Sequence, residues 1–577
     1  MSSQWKPIVL SAKVFGHLSQ GLYRTPAGAI KELISNSFDA DARIVRIHTD
    51  FPRFTTFSCE DDGDGMEIDE FKRLMDRGIG SSYKRIQELG ATKGLHRPYI
   101  GRLGLGILAL AQICTQFDIV SHHKDSKRAF KATIKFPPYT REEMDKIAKR
   151  AARTNASVRG GEFRFQSITY DEKKPGVRIF TKYPREQFRK VMANLERFGN
   201  RKKGARKVRP YGTFSEFLDT IYSGPKPLAS LNLLSEYDTL LFGLALASPL
   251  PFAEARNVAV RLPLIAQRQK ALKSFAFEVL VDNLALLHPV CLPSIRERFT
   301  AADCELGESE KLTFTLKDGP VTQPCPFVRR SVSVKGSDLQ FSLYEFSYDS
   351  EVAKKRLAFS GYFFQQTGRL YPRDIQGVLI RINNVAIGKY DSGMLTYPYA
   401  EGPRYSMVSS ELFIEAGFED GLNIDRDSFN ELHPHYIRVQ AFLHGVLHER
   451  IFRETWTEEK TRNEKRRVSA SAAHDAAFKK SFKAATGDTI RQIKHVDRSR
   501  DLDDETSMKT ASVDFIKRGD VQIDRSHPLL HALAKKKKYL PLVERLIIAF
   551  ERANRETNAA TRRSLFYKLL LDIVRDI

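Results

Sequence analysis

The chain has 577 residues, 42% of them hydrophobic, and a formal net charge of +23. That length exceeds what one hydrophobic core supports, so about two to four domains are expected. No run of about 18 apolar residues occurs, which argues against a membrane-spanning helix and a membrane partner. The N-terminal MSSQWKPIVLSAKVF has no apolar leader core, so a cytoplasmic protein is expected. A field this basic favours polyanions, nucleic acid foremost. Cys59, Cys114, Cys291, Cys304 and Cys325 are scattered without a CxxC pair, the pattern of reduced structural thiols rather than a zinc site.

In chain order, Thr25-Pro26 is a helix start, with threonine able to cap and proline suited to the first turn. The helix runs through AGAIKELISNSFDAD, with Ala29, Ile30, Leu33, Ile34 and Ser37 on one apolar or small face. Ala42–Asp50 alternates like a strand, Thr55–Asp61 is a second strand, and a short helix follows near Ile68–Arg77. A glycine-rich polar stretch leads to an apolar helix from Ile107, and FDIVSHH and GVRIFTKY return as strands. Residues 138–160 read as helix, then loop. The cluster Arg201–Arg209, RKKGARKVR, is a basic loop. A second domain opens near residue 225 with the helical TLLFGLALASPLPF. FAFEVLVDNL, LQFSLYEFSY, FSGYFFQQ and GVLIRINNVAIG are strand-like, and HPHYIRVQAFLHGVLHERIF is helical. His444 and His448 are four residues apart, but no HExxH accompanies them, so they read as a surface pair. From residue 453 the chain becomes charged and alanine-rich, KHVDRSRDLDDETSMK reads as a flexible break, and two amphipathic helices close the sequence.

Four features carry chemistry. Glu32 and Asn36 lie four apart on one helical face; a carboxylate there can deprotonate water and an amide oxygen can ligate Mg2+. The strand ending at Asp61 runs into Asp-Asp-Gly-Asp-Gly-Met, where a held carboxylate can accept a purine amine and glycines let the backbone approach a ligand. The calcium-loop alternative lacks the remaining ligand spacing. Gly101-x-x-Gly104-Leu105-Gly106 precedes an apolar helix whose bare amides can hold phosphate; it is neither a dinucleotide fingerprint nor a P-loop. Between them, Gly78, Gly80, Ser81, Ser82 and Lys84 have the content of a mobile lid.

In this order, ELISNSFDADA, EDDGDGM and GRLGLG resemble the GHKL ATPase superfamily of gyrase, MutL, histidine kinases, heat-shock chaperones and MORC ATPases, over roughly residues 10–185. The resemblance implies a Bergerat two-layer α/β sandwich, with helices on one face of a mixed sheet. It implies ATP and Mg2+ as cofactors, Glu32 as the water-activating base and Asn36 as the metal ligand. Asp61 becomes the adenine-reading carboxylate with Gly63, Gly65 and Met66 lining the base pocket, and Gly101, Gly104, Leu105 and Gly106 become the phosphate-binding lid hinge, completed by Ser81, Ser82 and Lys84. The superfamily often has a Gly-Thr pair on a late strand; the best counterpart is Gly176-Val177, which lacks the hydroxyl.

GFEDGLNIDRDSF resembles the chaperone middle-domain loop that brings an arginine to the γ-phosphate, here Arg426. The expected organisation is an ATPase domain at 1–224, an α/β transducer-like domain at 225–452 and a helical C-terminal region at 453–577. No phosphoacceptor-histidine helix precedes the ATPase, and no MutL-type endonuclease cluster is evident, which leaves a chaperone-like or MORC-like branch. The expected function is an ATP-hydrolysing, dimeric clamp on nucleic acid, with genome defence or DNA maintenance fitting such a protein. The alternatives are a protein-remodelling chaperone acting on a client, and an ATP-binding scaffold that recruits an effector protein.

Overall fold

The computed structural model describes residues 6–10, 26–76, 90–100, 109–126, 128–136, 146–147, 158–168, 174–193, 211–222, 228–253, 261–289, 303–318, 321–336, 340–366, 368–423, 428–453, 472–473, 475–496, 513–516, 520–524 and 540–575. The chain divides into two compact units, Met1–Arg453 and Glu454–Ile577. It is a mixed α/β protein built on large sheets.

The first sheet has nine strands: β1 (Lys6–Leu10), β2 (Ile44–His48), β3 (Phe57–Asp61), β4 (Cys114–His122), β5 (Ala129–Lys135), β6 (Val158–Ile168), β7 (Gly176–Pro184), β8 (Glu278–Val281) and β9 (Leu284–Ala285). Their order is β1-β6-β5-β4-β7-β3-β2-β8-β9. Neighbours are antiparallel except β2 and β8. Alternation of side chains fixes which face is inside: Val45 and Ile47 are buried while Arg46 and His48 are exposed. Helix α1 (Pro26–Asp39) buries Ala29, Ile30, Leu33, Ile34 and Phe38. These residues share one core with Phe57, Phe71, Phe130 and Phe163. The same core takes in Tyr237, Leu240 and Leu241 of helix α5 (Glu236–Ala247), together with Val279, Val281 and Leu284. The first layer therefore continues well past residue 224, because β8 completes its edge from far along the chain.

Three short helices precede α5: α2 (Ile68–Asp76), α3 (Glu186–Met192) and α4 (Phe214–Tyr222). Helix α6 (Pro263–Ser274) follows it, and helix α7 (Pro434–Val446) lies later in the chain. The second sheet comprises β10 (Cys304–Asp318), β11 (Val321–Val334), β12 (Gln340–Val352), β13 (Lys355–Gln366), β14 (Gly377–Ile382), β15 (Val385–Asp391) and β16 (Val408–Ala416). They run in the order β10-β11-β12-β13-β16-β14-β15. Both faces are covered. Phe442 of α7 meets the rings of Phe314, Phe346, Tyr348 and Phe359 at 5.0–5.7 Å. On another face, Ile265 and Leu272 of α6 share a core with Val332, Phe364 and Phe413. Three of the four strand-like segments expected from sequence lie here, joined by β10, β11 and β16, whereas FAFEVLVDNL forms β8 and the start of β9 in the first sheet. The histidine pair is not a simple surface feature: Nε2 of His444 faces the carbonyl oxygens of Met394 and Leu395, each at 3.0 Å, and the exposed His448 stacks on Tyr399. Cys59, Cys114, Cys304 and Cys325 are buried, and burial raises their thiols, as for inert structural cysteines.

A charged cluster is sealed inside this sheet. Arg381 and Glu411 are 1% and 0% exposed and pair at 2.6 Å. Tyr390 donates to Glu411 at 2.9 Å, and Arg381 also contacts the ring of buried His288. Burial would raise Glu411, but the guanidinium and imidazole outweigh it and hold the carboxyl at about 2. Removing one partner of a buried pair strands the other charge. Arg381→Met should therefore destabilise the protein by roughly 3–5 kcal/mol, and adding Glu411→Gln should recover much of that loss. Thermal unfolding of the single and double variants checks this; equal losses would reject it.

The C-terminal unit holds helical segment 475–486, α8 (Leu540–Asn554) and α9 (Ala559–Arg575). It also holds a three-stranded sheet, β17 (Gln492–Val496), β18 (Val513–Ile516) and β19 (Asp520–Asp524), in the order β17-β19-β18. Phe478, Phe482, Val521, Ile523, Ile548 and Leu569 form its core. The expected helical region thus contains strands, and Lys494, His495 and Val496, read as the start of a flexible break, lie in β17. Residues 497–512, like the basic loop at 201–209, lie outside the described residues.

Candidate functional site

The site forms where α1 ends against β3 and β7. Asp61 is the last residue of β3, opposite Val177 in the antiparallel register with β7. The residue is half-exposed as a whole, but its carboxyl group is enclosed. Oδ1 accepts from the backbone N–H of Gly63 at 3.0 Å and of Val177 at 3.3 Å. Oδ2 lies 2.9 Å from the Ser37 hydroxyl. A carboxylate accepts about four hydrogen bonds, so among the described residues Oδ2 keeps room for one more donor. Burial raises this carboxyl to about 6, more than the bonds from Gly63, Ser37 and Val177 offset, and the charge of Asp62 adds to the rise.

The rest of the acidic run does different work. Asp62 Oδ1 accepts the N–H groups of Arg43 and Ile44 at 2.7 and 2.8 Å, anchoring the start of β2. Asp64 pairs with Lys124 at 2.6 Å. The three carboxyl groups serve separate partners, which is not the arrangement of a calcium loop. Met66 shares Ser121 through its N–H at 2.7 Å and its carbonyl at 3.1 Å. Gly65 has φ +69°, and a Cβ there would fall 2.1 Å from the His122 carbonyl oxygen. Gly176 has φ +143°, and a Cβ would fall 2.2 Å from the Asp61 carbonyl oxygen. Only glycine lets β4 and β7 approach the turn this closely.

On α1, Glu32 is buried at 8% exposure and Asn36, one turn later, is exposed. Beyond the helix, Asp41 Oδ2 accepts the N–H of Gly94 at 2.8 Å. The fully buried Arg97 donates to the Ala42 carbonyl at 2.6 Å and lies over the Phe38 ring at 4.7 Å. Asp39 Oδ1 accepts the N–H of Ile100 at 2.8 Å. The segment before the glycine-rich loop is therefore pinned to the end of α1.

The structure brings Asp61, Gly63, Gly65 and Met66 together beside α1, which carries Glu32 and Asn36. Ser81, Ser82, Lys84, Gly101, Gly104, Leu105 and Gly106 lie outside the described residues, as does Arg426. On either side of residues 424–427, the Asn423 N–H donates to Ser428 O at 3.0 Å and Leu422 bridges Phe429. Ser37, Asp41 and Arg97, which no sequence motif singles out, also make contacts in and around this arrangement. Ser37 directly follows Asn36, and it places a hydroxyl on the carboxylate where Val177 supplies only its N–H.

A mixed sheet with α1 packed on it, and an enclosed strand-end carboxylate before a glycine turn, define the class. Residues 23–159 match the family of histidine kinase-, DNA gyrase B-, and HSP90-like ATPases, and the chain carries an ATPase domain of the GHKL superfamily. It is 30% identical over 138 residues to the DNA mismatch repair protein MutL of Anaplasma phagocytophilum (strain HZ), covering 23% of this chain and 20% of that protein. It is 32% identical over 121 residues to HgiDII of Herpetosiphon aurantiacus, a candidate type II restriction enzyme, covering 21% and 19%. The chain thus spans about a fifth of the length of these curated relatives. The crystal structure of the N-terminal domain of a DNA repair protein aligns with TM-score 0.33 and 13% identity, over 78% of this chain and 98% of that one.

Only the ionised Asp61 carboxyl is a pure acceptor. With Asp61 as the adenine acceptor that the sequence resemblance implies, adenine-nucleotide affinity should weaken as pH falls through about 6, by roughly tenfold per pH unit below it. Ser37→Ala deletes a bond to the charged form and should move that midpoint upward. Fluorescent-nucleotide binding against pH tests this, since the ligand's own titration is common to both proteins. Superimposable profiles would reject the assignment.

Proposed function

We propose that this chain is an ATP-hydrolysing molecular switch that closes as a homodimeric clamp on DNA. The observation that carries the reading is the enclosed Asp61 carboxylate with one acceptor position to spare, beside the helix that bears Glu32 and Asn36. An acceptor there suits the exocyclic amine of adenine, which a guanine keto oxygen would not match. Gly63, Gly65 and Met66 line the base side. The amides of Gly101, Gly104, Leu105 and Gly106 hold the phosphates, and Ser81, Ser82 and Lys84 belong to the covering lid.

Bound Mg-ATP supplies the phosphoanhydride and a cation that neutralises developing charge. Asn36 offers its amide oxygen to that cation. Among the described residues no group of three histidine, cysteine or acidic side chains could hold a metal. Magnesium takes few protein ligands and keeps water and phosphate oxygens, so one amide oxygen is a sufficient protein contribution. Glu32 orients a water and takes its proton, and its burial on α1 restricts solvent around that proton. Arg426 adds positive charge at the γ-phosphate from the second domain, so hydrolysis would report domain docking.

The DNA assignment is supported by the +23 net charge and by the curated relatives, a mismatch repair protein and a candidate restriction enzyme. Roles in genome defence or DNA maintenance both fit.

Glu32→Ala should retain nucleotide and lose turnover by roughly 10²–10⁴-fold, whereas Asp61→Ala should lose nucleotide binding. Equilibrium binding and phosphate release separate the two, and an active Glu32→Ala protein would remove this residue from the mechanism. DNA affinity in the ATP-bound state should fall steeply with salt, in proportion to the phosphates contacted. A protein that shows no salt-dependent DNA binding, and whose ATPase responds instead to unfolded polypeptide, would be a chaperone.

A further inference from the structure

The β14–β15 hairpin belongs to the second sheet by its hydrogen bonds, yet its tip is built into the ATPase layer. Val385 is buried in the first core, whereas Ile382, paired with it across the hairpin, is buried in the second. Asn383 and Asn384 make the turn, both with positive φ (50° and 65°), the conformation of a tight two-residue hairpin turn that asparagine tolerates. Asn383 Nδ2 donates to the Tyr99 carbonyl at 3.0 Å. Tyr99 immediately precedes Ile100, which is held by Asp39 at the end of α1. Lys31 Nζ donates to the Ala386 carbonyl at 2.9 Å in a half-buried setting. Ala386 faces Arg381 across the hairpin, and Arg381 is locked to Glu411 in the sheet interior.

The hairpin therefore holds two points at once: the residue before Glu32 and the residue before the segment that enters the glycine-rich loop. A buried ion pair one residue from the turn ties it to β16, so it moves with the second sheet. We propose that Lys31 and Asn383 are positioning residues of the ATPase site, through which the second sheet sets the placement of α1 and of Tyr99 and Ile100 beside it. This rests on the reading of Glu32 as the base that acts on water. A lysine at this helix position reaches the hairpin edge through a long flexible stem, so the contact tolerates small shifts of the two layers while it persists. Its loss leaves the adenine contacts at Asp61 intact, since those come from Ser37, Gly63 and Val177.

The test uses the full-length protein in four variants: Lys31→Ala, Lys31→Arg, Asn383→Gly and Glu32→Ala. Asn383→Gly deletes the side chain and keeps the turn, because glycine adopts positive φ freely. Lys31→Ala and Asn383→Gly are expected to lower kcat by roughly ten- to hundredfold, as misplacement of a catalytic group does, with the ATP KM and the affinity for a non-hydrolysable ATP analogue nearly unchanged. Lys31→Arg keeps a donor and is expected to restore most of the rate. Loss of analogue affinity in step with kcat, or no rescue by arginine, would make Lys31 a merely structural residue and overturn the proposal. So would wild-type kcat in Lys31→Ala beside an inactive Glu32→Ala. Full turnover by Glu32→Ala would instead refute the reading beneath it, and the proposal would fall with it.

Discussion

The site depends on keeping one carboxylate, Asp61, out of water with room left for a ligand. Three elements meet to do it: α1 brings Ser37, the turn brings the Gly63 amide, and β7 brings the Val177 amide. The arrangement has a cost. A carboxyl held at about 6 in the fold, against 3.8 for the ordinary side chain, keeps its proton longer than in the unfolded chain. Folding stability from this group is therefore lost as pH rises from about 4 to about 6. A group that weakens the fold at neutral pH and retains an acceptor position is of the kind that clusters at binding sites, in keeping with the proposed function. The neighbouring carboxylates are spent on the scaffold, Asp62 on the start of β2 and Asp64 on Lys124.

The same α1 joins the two sheets. Its apolar face is the centre of the first core, its end carries Asp39 and leads into Asp41, which together hold the segment 92–100, and Lys31 reaches the hairpin of the second sheet. A helix fixed at so many points is held in one placement, because packed cores do not deform smoothly. The buried Arg381–Glu411 pair serves the same end from the other side. An ion pair sealed in a sheet adds little net stability, but it fixes the hairpin next to its turn.

Much of the first layer is legible in the sequence. Proline at the helix start, the apolar spacing of Ala29, Ile30, Leu33 and Ile34, and the alternation in β2 and β3 are local signals, and each element forms where those signals lie. The second sheet is less legible. Strands β10 and β11 do not stand out in the sequence, because the charged Glu308, Glu310 and Lys311 precede the short apolar alternation of Leu312, Phe314 and Leu316. Strand β8 reads as part of a second domain because its hydrophobicity is clear, but its parallel partner β2 lies some two hundred residues earlier. In the C-terminal unit, β18 and β19 are four or five residues long, too short to stand out between charged segments.

For the site, the sequence alone determined the order of chemical groups along the chain: a helical Glu and Asn pair, a strand-end Asp before a glycine turn, and a later glycine-rich loop. Those are properties of neighbours, and periodicity and turn chemistry carry them. Only the tertiary structure decided which groups meet. It set Ser37 and Val177 on the Asp61 carboxylate, turned Asp62 and Asp64 away to other partners, buried Arg97 under the end of α1, and placed Ala386 within reach of Lys31. Each of these contacts joins residues distant in sequence, from Ser37 and Asp61 to Lys31 and Ala386. No local pattern encodes them, because they exist only once sheet register and core packing have brought the elements together.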